Sequence, residues 1–343
     1  MAMIYMNGFE WNSIYENISR YYIYSINASG VSTTHKRSGN YSFYMHDQYG
    51  YSDYISLPTP PVSEFYIQFC INVRWVSGEA VFLRWFEGST YGGVITLSNA
   101  DLKLRVYEGN KSSLLCTSGT ALVQERWYLI ELYVKHDSSG EIELRVNGVT
   151  DTTYSGDTTS YSIDKFTFGT GLAYGQSMTY YVDDIVINDT TGSVNNSWPN
   201  GLRILLLKPT GKGSSSEWTK EPEDNIDNYW CVDHEPIDDP SEYAYTFQDL
   251  KLDLYRVENL PATAYSVAAA RVDSWSLKNS GSRQQINLAL KPAGATTFYS
   301  SDQDLGIAFQ LKQNTWETNP STSADWSISE INNLEVGMRS KFP

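Results

Sequence analysis

Two adjacent carboxylates, Asp183 and Asp184, interrupt the apolar run YYVDDIVIND that begins at Tyr180. Successive side chains of a strand point to opposite faces, so one of the pair faces inward, beside Tyr181 and Ile185 or beside Val182 and Val186. A carboxylate removed from water must be neutralised, heavily hydrogen-bonded or bound to a cation, unless it lies solvated at a sheet end. Glu141 and Glu143 in GEIELRVNG share one strand face, and paired carboxylates on one face are what glycoside hydrolysis requires. They lie opposite Ile142, Leu144 and Val146 and beside Arg145, however, which describes a solvated outer face. His35, His46, His136 and His234 are dispersed and fit neither a metal spacing nor a triad; they read as surface or hydrogen-bonding residues. The GKGSS segment at Gly211 lacks the spacing of a phosphate loop and reads as a turn. No pattern supplies catalytic chemistry, and the chain reads as a non-enzyme.

Strands must position these residues. In EFYIQFCINVRWV, Phe65, Ile67, Phe69, Ile71, Val73 and Trp75 alternate with mostly polar residues, the period of a strand with one buried face. LKLRVYEGN turns Leu102, Leu104 and Val106 inward and ends in a turn at Gly109-Asn110. By pattern RWYLIELYVKHD and GEIELRVNGVTDTTY form a pair, and Asn147-Gly148 is a two-residue hairpin signal because both positions tolerate positive φ. DKFTFGTG and YYVDDIVIND close the first domain. TTGSVNNSWPNG reads as a polar hinge, and LRILLLKP opens a second set of strands in which GKGSSSEW is a flexible loop. Near the end, Ile328, Ile331 and Leu334 have helical spacing, leaving a short helix or a loop. The expected organisation is all-β: a sandwich over 1–190, a hinge over 191–201 and a second β-sandwich-like domain over 202–343.

The bulk properties narrow the function. At 343 residues with 41% hydrophobic content, the chain is long enough for two packed domains. A formal net charge of −15 argues against nucleic acid or an anionic membrane as partner. Between Glu217 and Glu258 thirteen acidic residues stand against three basic ones, which reads as a solvated face or a docking surface. Cys70, Cys116 and Cys231 are too far apart for a zinc spacing or a disulfide framework and read as free thiols. No run approaches the ~18 apolar residues of a membrane-spanning helix. The start, MAMIYMNGFEWN, has no basic n-region, so synthesis in a cytoplasm without a secretion signal is expected, and the sequons at Asn17, Asn27 and Asn188 read as incidental.

A family resemblance is carried by several of these segments in order. MNGFEW, RSGNYSFYM from Arg37, the ERWYLIELYV and GEIELRVNGV hairpin and the closing YYVDDIVIND together resemble concanavalin A-like (laminin G-like) jelly rolls. The continuation, GLRILLLKPTGKGSSSEWT, NYWCVDHEPIDDPSEYAYT, LDLYRVENLP and WETNPSTSADWSISEINNLEVGMR, resembles the C-terminal half of tailed-bacteriophage virion structural proteins. The resemblance spans nearly the whole chain. It implies a capsid decoration or cement protein, or a tail accessory protein, located in the virion and bound to major capsid or tail proteins, most simply as a homo-oligomer. It also implies a structural calcium (Ca2+) where an early acidic residue meets the final strand, positions matched here by Glu10, Asp183 and Asp184. Jelly rolls of this class include lectins, so the alternative is a glycan-binding receptor-recognition module of a tail or fibre. The tyrosine-rich run from Tyr41 to Tyr54 is the first place to seek such a site or a protein interface.

Overall fold

The computed structural model describes residues 2–11, 29–47, 54–169, 176–222, 227–233, 241–279 and 283–342. Asn17, Asn27, His234, positions 48–53 of the tyrosine-rich run and parts of the acidic stretch lie outside them. The described residues divide into two compact units, Met1–Leu205 and Leu206–Pro343. The division falls after the segment read as a hinge.

In the first unit the strands are β1 Met3–Asn7, β2 Gly30–Ser32, β3 Ser42–Asp47, β4 Ile55–Val62, β5 Glu64–Ser77, β6 Glu79–Glu87 and β7 Thr90–Ser98. They continue as β8 Lys103–Glu108, β9 Ser113–Ala121, β10 Trp127–Lys135, β11 Gly140–Val146, β12 Val149–Gly156, β13 Ile163–Phe168 and β14 Ser177–Asp189. One antiparallel sheet runs β12-β11-β10-β5-β14-β3-β2, with β1 also on β14; the other runs β4-β13-β6-β7-β8-β9. This is the two-sheet, concanavalin A-like jelly-roll sandwich. The period-two alternation explains its core: Ile67, Phe69 and Ile71 of β5 and Ile130, Leu132 and Val134 of β10 are buried together. Phe65 meets Phe166 edge-on at 4.9 Å and Phe69 meets Phe168 at 5.2 Å, joining the two sheets. Asn147 (φ 54°) and Gly148 (φ 77°) make the expected hairpin turn.

Alternation fails at two places where residues were expected inside. A register shift in the β14–β5 pairing at Thr179/Tyr180 turns Trp75 outward to 46% exposure, and Val76 takes the core position. Leu102 (φ 53°) lies in the turn before β8 and only flanks the core, while Leu104 and Val106 are buried.

In the second unit the strands are β15 Pro209–Ser216, β16 Thr219–Glu221, β17 Tyr243–Tyr245, β18 Leu252–Val257, β19 Ala270–Ser276 and β20 Gln285–Lys291. They are followed by β21 Phe298–Tyr299, β22 Gln303–Asp304, β23 Gln310–Trp316 and β24 Glu335–Lys341. The main sheet runs β15-β18-β24-β20-β21 with β22 on β20, and β16–β17 and β19–β23 form separate pairs. The GKGSS segment is therefore part of β15, not a flexible loop: exposure alternates along the strand, which pairs with β18. The open choice near the end resolves to a helix, α1 Ile328–Asn332, held by a Ser327/Glu330 capping box and burying Ile331 in the core with Leu288, Leu290 and Trp326.

His136, at the end of β10, is a core histidine. The Trp85 indole N–H donates to its Nε2 at 3.0 Å, and since tryptophan can only donate, Nδ1 carries the proton and donates to Thr158 O at 2.9 Å. Burial lowers its pKa, so the folded state refuses a proton that the unfolded chain accepts below its usual value of about 6.5. This contribution to stability is complete above that value and is lost as pH falls through the lowered folded pKa. We expect stability to fall as pH drops below about 6.5, and His136→Gln to flatten that slope while costing about 1–3 kcal/mol at neutral pH. Urea melts across a pH series measure both effects.

Candidate functional site

Strand β14 is buried along its whole length, and its pairing with β5 is interrupted by a bulge between Asp183 and Val186. Asp184 occupies the left-handed region (φ 50°) within that bulge. The bulge cancels the expected alternation, so the two carboxylates do not part to opposite faces. Both turn to the Arg37–Ser38 segment, and both are fully buried. Asp183 Oδ2 accepts from the Arg37 and Ser38 backbone N–H groups at 2.9 and 3.3 Å, and Oδ1 from the Asp184 N–H at 2.7 Å. Asp184 Oδ2 pairs with the Arg37 guanidinium at 2.7 Å, while Oδ1 accepts from the Ser38 hydroxyl at 2.7 Å and the Ile204 N–H at 2.8 Å.

Glu10 meets the same turn from its other end. Its carboxylate accepts from the Asn40 and Tyr41 N–H groups at 2.7 and 3.3 Å. Gly39 (φ 56°) is needed between them, because a Cβ there would lie 2.2 Å from the Glu10 carboxyl atoms. The three carboxylates singled out by sequence thus gather on one turn, residues 37–41. Arg37 and Ser38, which answer them, had no sequence signal beyond lying in the quoted RSGNYSFYM segment.

The segment read as a hinge is a strap laid over the β5–β10–β14 face. Gln68, fully buried on β5, acts as a substitute peptide: its Oε1 accepts from Gly201 and Leu202 N–H at 2.8 and 3.0 Å, and its Nε2 donates to Leu202 O at 2.8 Å and Asp184 O at 3.2 Å. Glu131 of β10 accepts from the Asn200 N–H at 2.8 Å, and Asn188 donates to Ser197 O at 2.9 Å. Trp198 lies under the Arg145 guanidinium, 3.7 Å from the ring centroid, and edge-on to Tyr66 at 5.1 Å. The expected strand LRILLLKP consequently joins no ladder until Pro209, and side chains take the N–H groups of Leu202 and Ile204.

Burial, reinforced by the Asp184 charge, pushes the Asp183 pKa up to about 8. Burial also raises Glu131 and keeps the Cys70 thiol protonated. Calcium does not fit here. It requires oxygen lone pairs directed at the ion, whereas those of Asp183 and Asp184 receive N–H and O–H donors and a cationic guanidinium. Among the described residues no group of three or more His, Cys, Asp or Glu side chains is arranged to hold a metal ion.

Glu143 accepts from Arg145 Nε at 2.7 Å and the Thr150 hydroxyl at 2.6 Å, and Glu141 is exposed. In the acidic stretch Asp253 departs from the solvated reading: it is buried, accepting from Asn228 Nδ2 at 2.7 Å and the Tyr255 hydroxyl at 2.8 Å.

Beyond the strap the same sheet presents aromatic rings. Tyr181 stacks on His35 (4.7 Å) and meets Tyr44 (4.9 Å), and Tyr44 meets His46 (5.9 Å). Arg74 donates to His35 Nε2 at 2.9 Å and pairs with Glu125 at 3.2 Å. The Nδ1 of His35 and the Oδ1 of Asn72, which pairs across the sheet with Tyr181, have no hydrogen-bond partner.

No protein-family model and no curated protein matches the sequence. Among solved structures the chain is similar to cellulose induced protein Cip1 at 15% identity, covering 58% of this chain and 100% of that one, with a TM-score of 0.45. It is similar to domain 4 of AbnA, a GH43 extracellular arabinanase from Geobacillus stearothermophilus solved with arabinotriose, at 12% identity (55% and 92% covered, TM-score 0.40). The T. cruzi calreticulin globular domain matches at 9% identity (55% and 88% covered, TM-score 0.39).

Gln68→Ala would strip partners from Gly201, Leu202 and the Asp184 carbonyl at once. We expect a loss of about 2–4 kcal/mol in urea unfolding of the first unit and new proteolytic cleavage within 197–205. Cleavage no faster than in the parent chain would show that the strap does not rely on Gln68.

Proposed function

We propose that this chain is a non-enzymatic structural component of a tailed-bacteriophage particle that docks on the capsid or tail and stabilises it. The order of motifs from MNGFEW to WETNPSTSADWSISEINNLEVGMR supports the virion reading. The observation that carries the non-enzymatic part is the fate of the carboxylates. Asp183, Asp184, Glu10 and Glu131 hold backbone N–H groups, and Glu143 is spent on Arg145 and Thr150, so this set offers no poised acid–base pair. Docking would bury exposed aromatic side chains such as Phe247 and Tyr265, each contact repeated by particle symmetry so that weak contacts add. Quantitative mass spectrometry of purified particles of the encoding phage should find the chain at tens to hundreds of copies. Its absence from intact particles would overturn this reading.

A second reading, a glycan-recognition module, is favoured by the ring cluster around Tyr181 with Trp75 exposed beside it. Pyranose rings stack on exposed aromatic faces such as that of Trp75. A glycan array probed with the full chain should then show binding that Trp75→Ala reduces at least tenfold. No binding by the parent chain, or binding indifferent to that substitution, removes the glycan site from this face.

A further inference from the structure

The oxygen atoms around Arg37 have a chemistry of their own. Its Nη1 lies 2.7 Å from Asp184 Oδ2 and 3.3 Å from Leu202 O, and its Nη2 lies 3.5 Å from Gly201 O. One buried carboxylate and two peptide carbonyls are hard oxygen donors, the class that calcium takes, and they converge on a guanidinium instead. The Arg37 side chain is 18% exposed, so water and small ions reach the edge of this cage. The carboxylate cannot be left alone there, because an unpaired buried charge is strongly unfavourable.

We propose that Arg37 is a covalently attached replacement for a structural divalent cation: it makes the first unit independent of calcium, and its removal exposes a latent calcium site. The cation links three parts of the chain. These are β14 through Asp184, the 37–41 turn through its own backbone, and the strap through Leu202 O and Gly201 O. A divalent ion in the same cage would draw on the same oxygens, completed by water. A neutral side chain at position 37 leaves these oxygens facing one another with nothing between them. This holds whether the chain is a virion component or a glycan-binding module.

The test is calorimetry of the full chain with the variants Arg37→Ala and Arg37→Lys, each in EDTA and in millimolar calcium chloride. For the parent chain, calcium and EDTA should give melting temperatures within about 1 °C of each other, since a ligand stabilises only if it binds the folded state. Arg37→Lys keeps a tethered cation and should remain indifferent to calcium. Arg37→Ala should melt several degrees lower in EDTA and regain at least half of that loss in calcium, or should fold only when calcium is present. A parent chain that loses several degrees in EDTA overturns the proposal. So does a folded Arg37→Ala that ignores calcium. If Arg37→Ala folds in neither buffer, Arg37→Gln is melted in the same two buffers: a gain of several degrees in calcium, or folding only with calcium, supports the proposal, and failure of calcium to stabilise or rescue it overturns it.

Discussion

The Asp184 carboxylate is the tightest constraint in the first unit. It is fully buried, and the guanidinium of Arg37, the hydroxyl of Ser38 and the N–H of Ile204 together compensate it. Removing any one leaves part of a charge unsatisfied in a region of low dielectric, where such a defect costs several kcal/mol. Because those donors come from the turn before β3 and from the chain after β14, the charge joins segments far apart in sequence. The bulge at Asp183–Val186 and the left-handed backbone of Asp184 make this geometry available, since an unbroken strand would have sent the two carboxylates to opposite faces.

The polar residues of the covered sheet face follow from that arrangement. Gln68 and Glu131 would be misplaced under an apolar layer, but each matches a backbone group of the strap. Trp198 closes the far end between Arg145 and Tyr66. A polar, Asn- and Ser-rich segment thereby becomes part of the fold, and the first unit ends at Leu205.

Much of the architecture was legible in the sequence. Alternation in β5, β10 and β11 reports local geometry, and Asn147-Gly148 specifies its turn by local backbone preference. The meeting of Glu10 with the Asp183–Asp184 pair on one turn was approached through the resemblance. What the sequence left hidden depended on non-local compensation. Composition cannot distinguish a polar segment that is solvated from one whose N–H groups are taken by buried side chains, so residues 191–201 read as a hinge. Nor can alternation reveal a bulge, which is why Trp75 was expected inside and the two aspartates on opposite faces. GKGSS misled for a related reason: small polar residues suit a loop, yet they also suit an exposed strand such as β15.

In the first unit Glu10, Glu131, Asp183 and Asp184 fasten one part of the chain to another. Everything in that account requires the strap to be part of the fold. Native-state hydrogen exchange of the full chain, resolved at single amides, tests this directly. The N–H groups of Asn200, Gly201, Leu202 and Ile204 should be protected to within about tenfold of those in β14, because they open only when the sandwich does. Exchange of those four amides at the rate of an exposed loop would contradict the account and return the segment to a simple hinge.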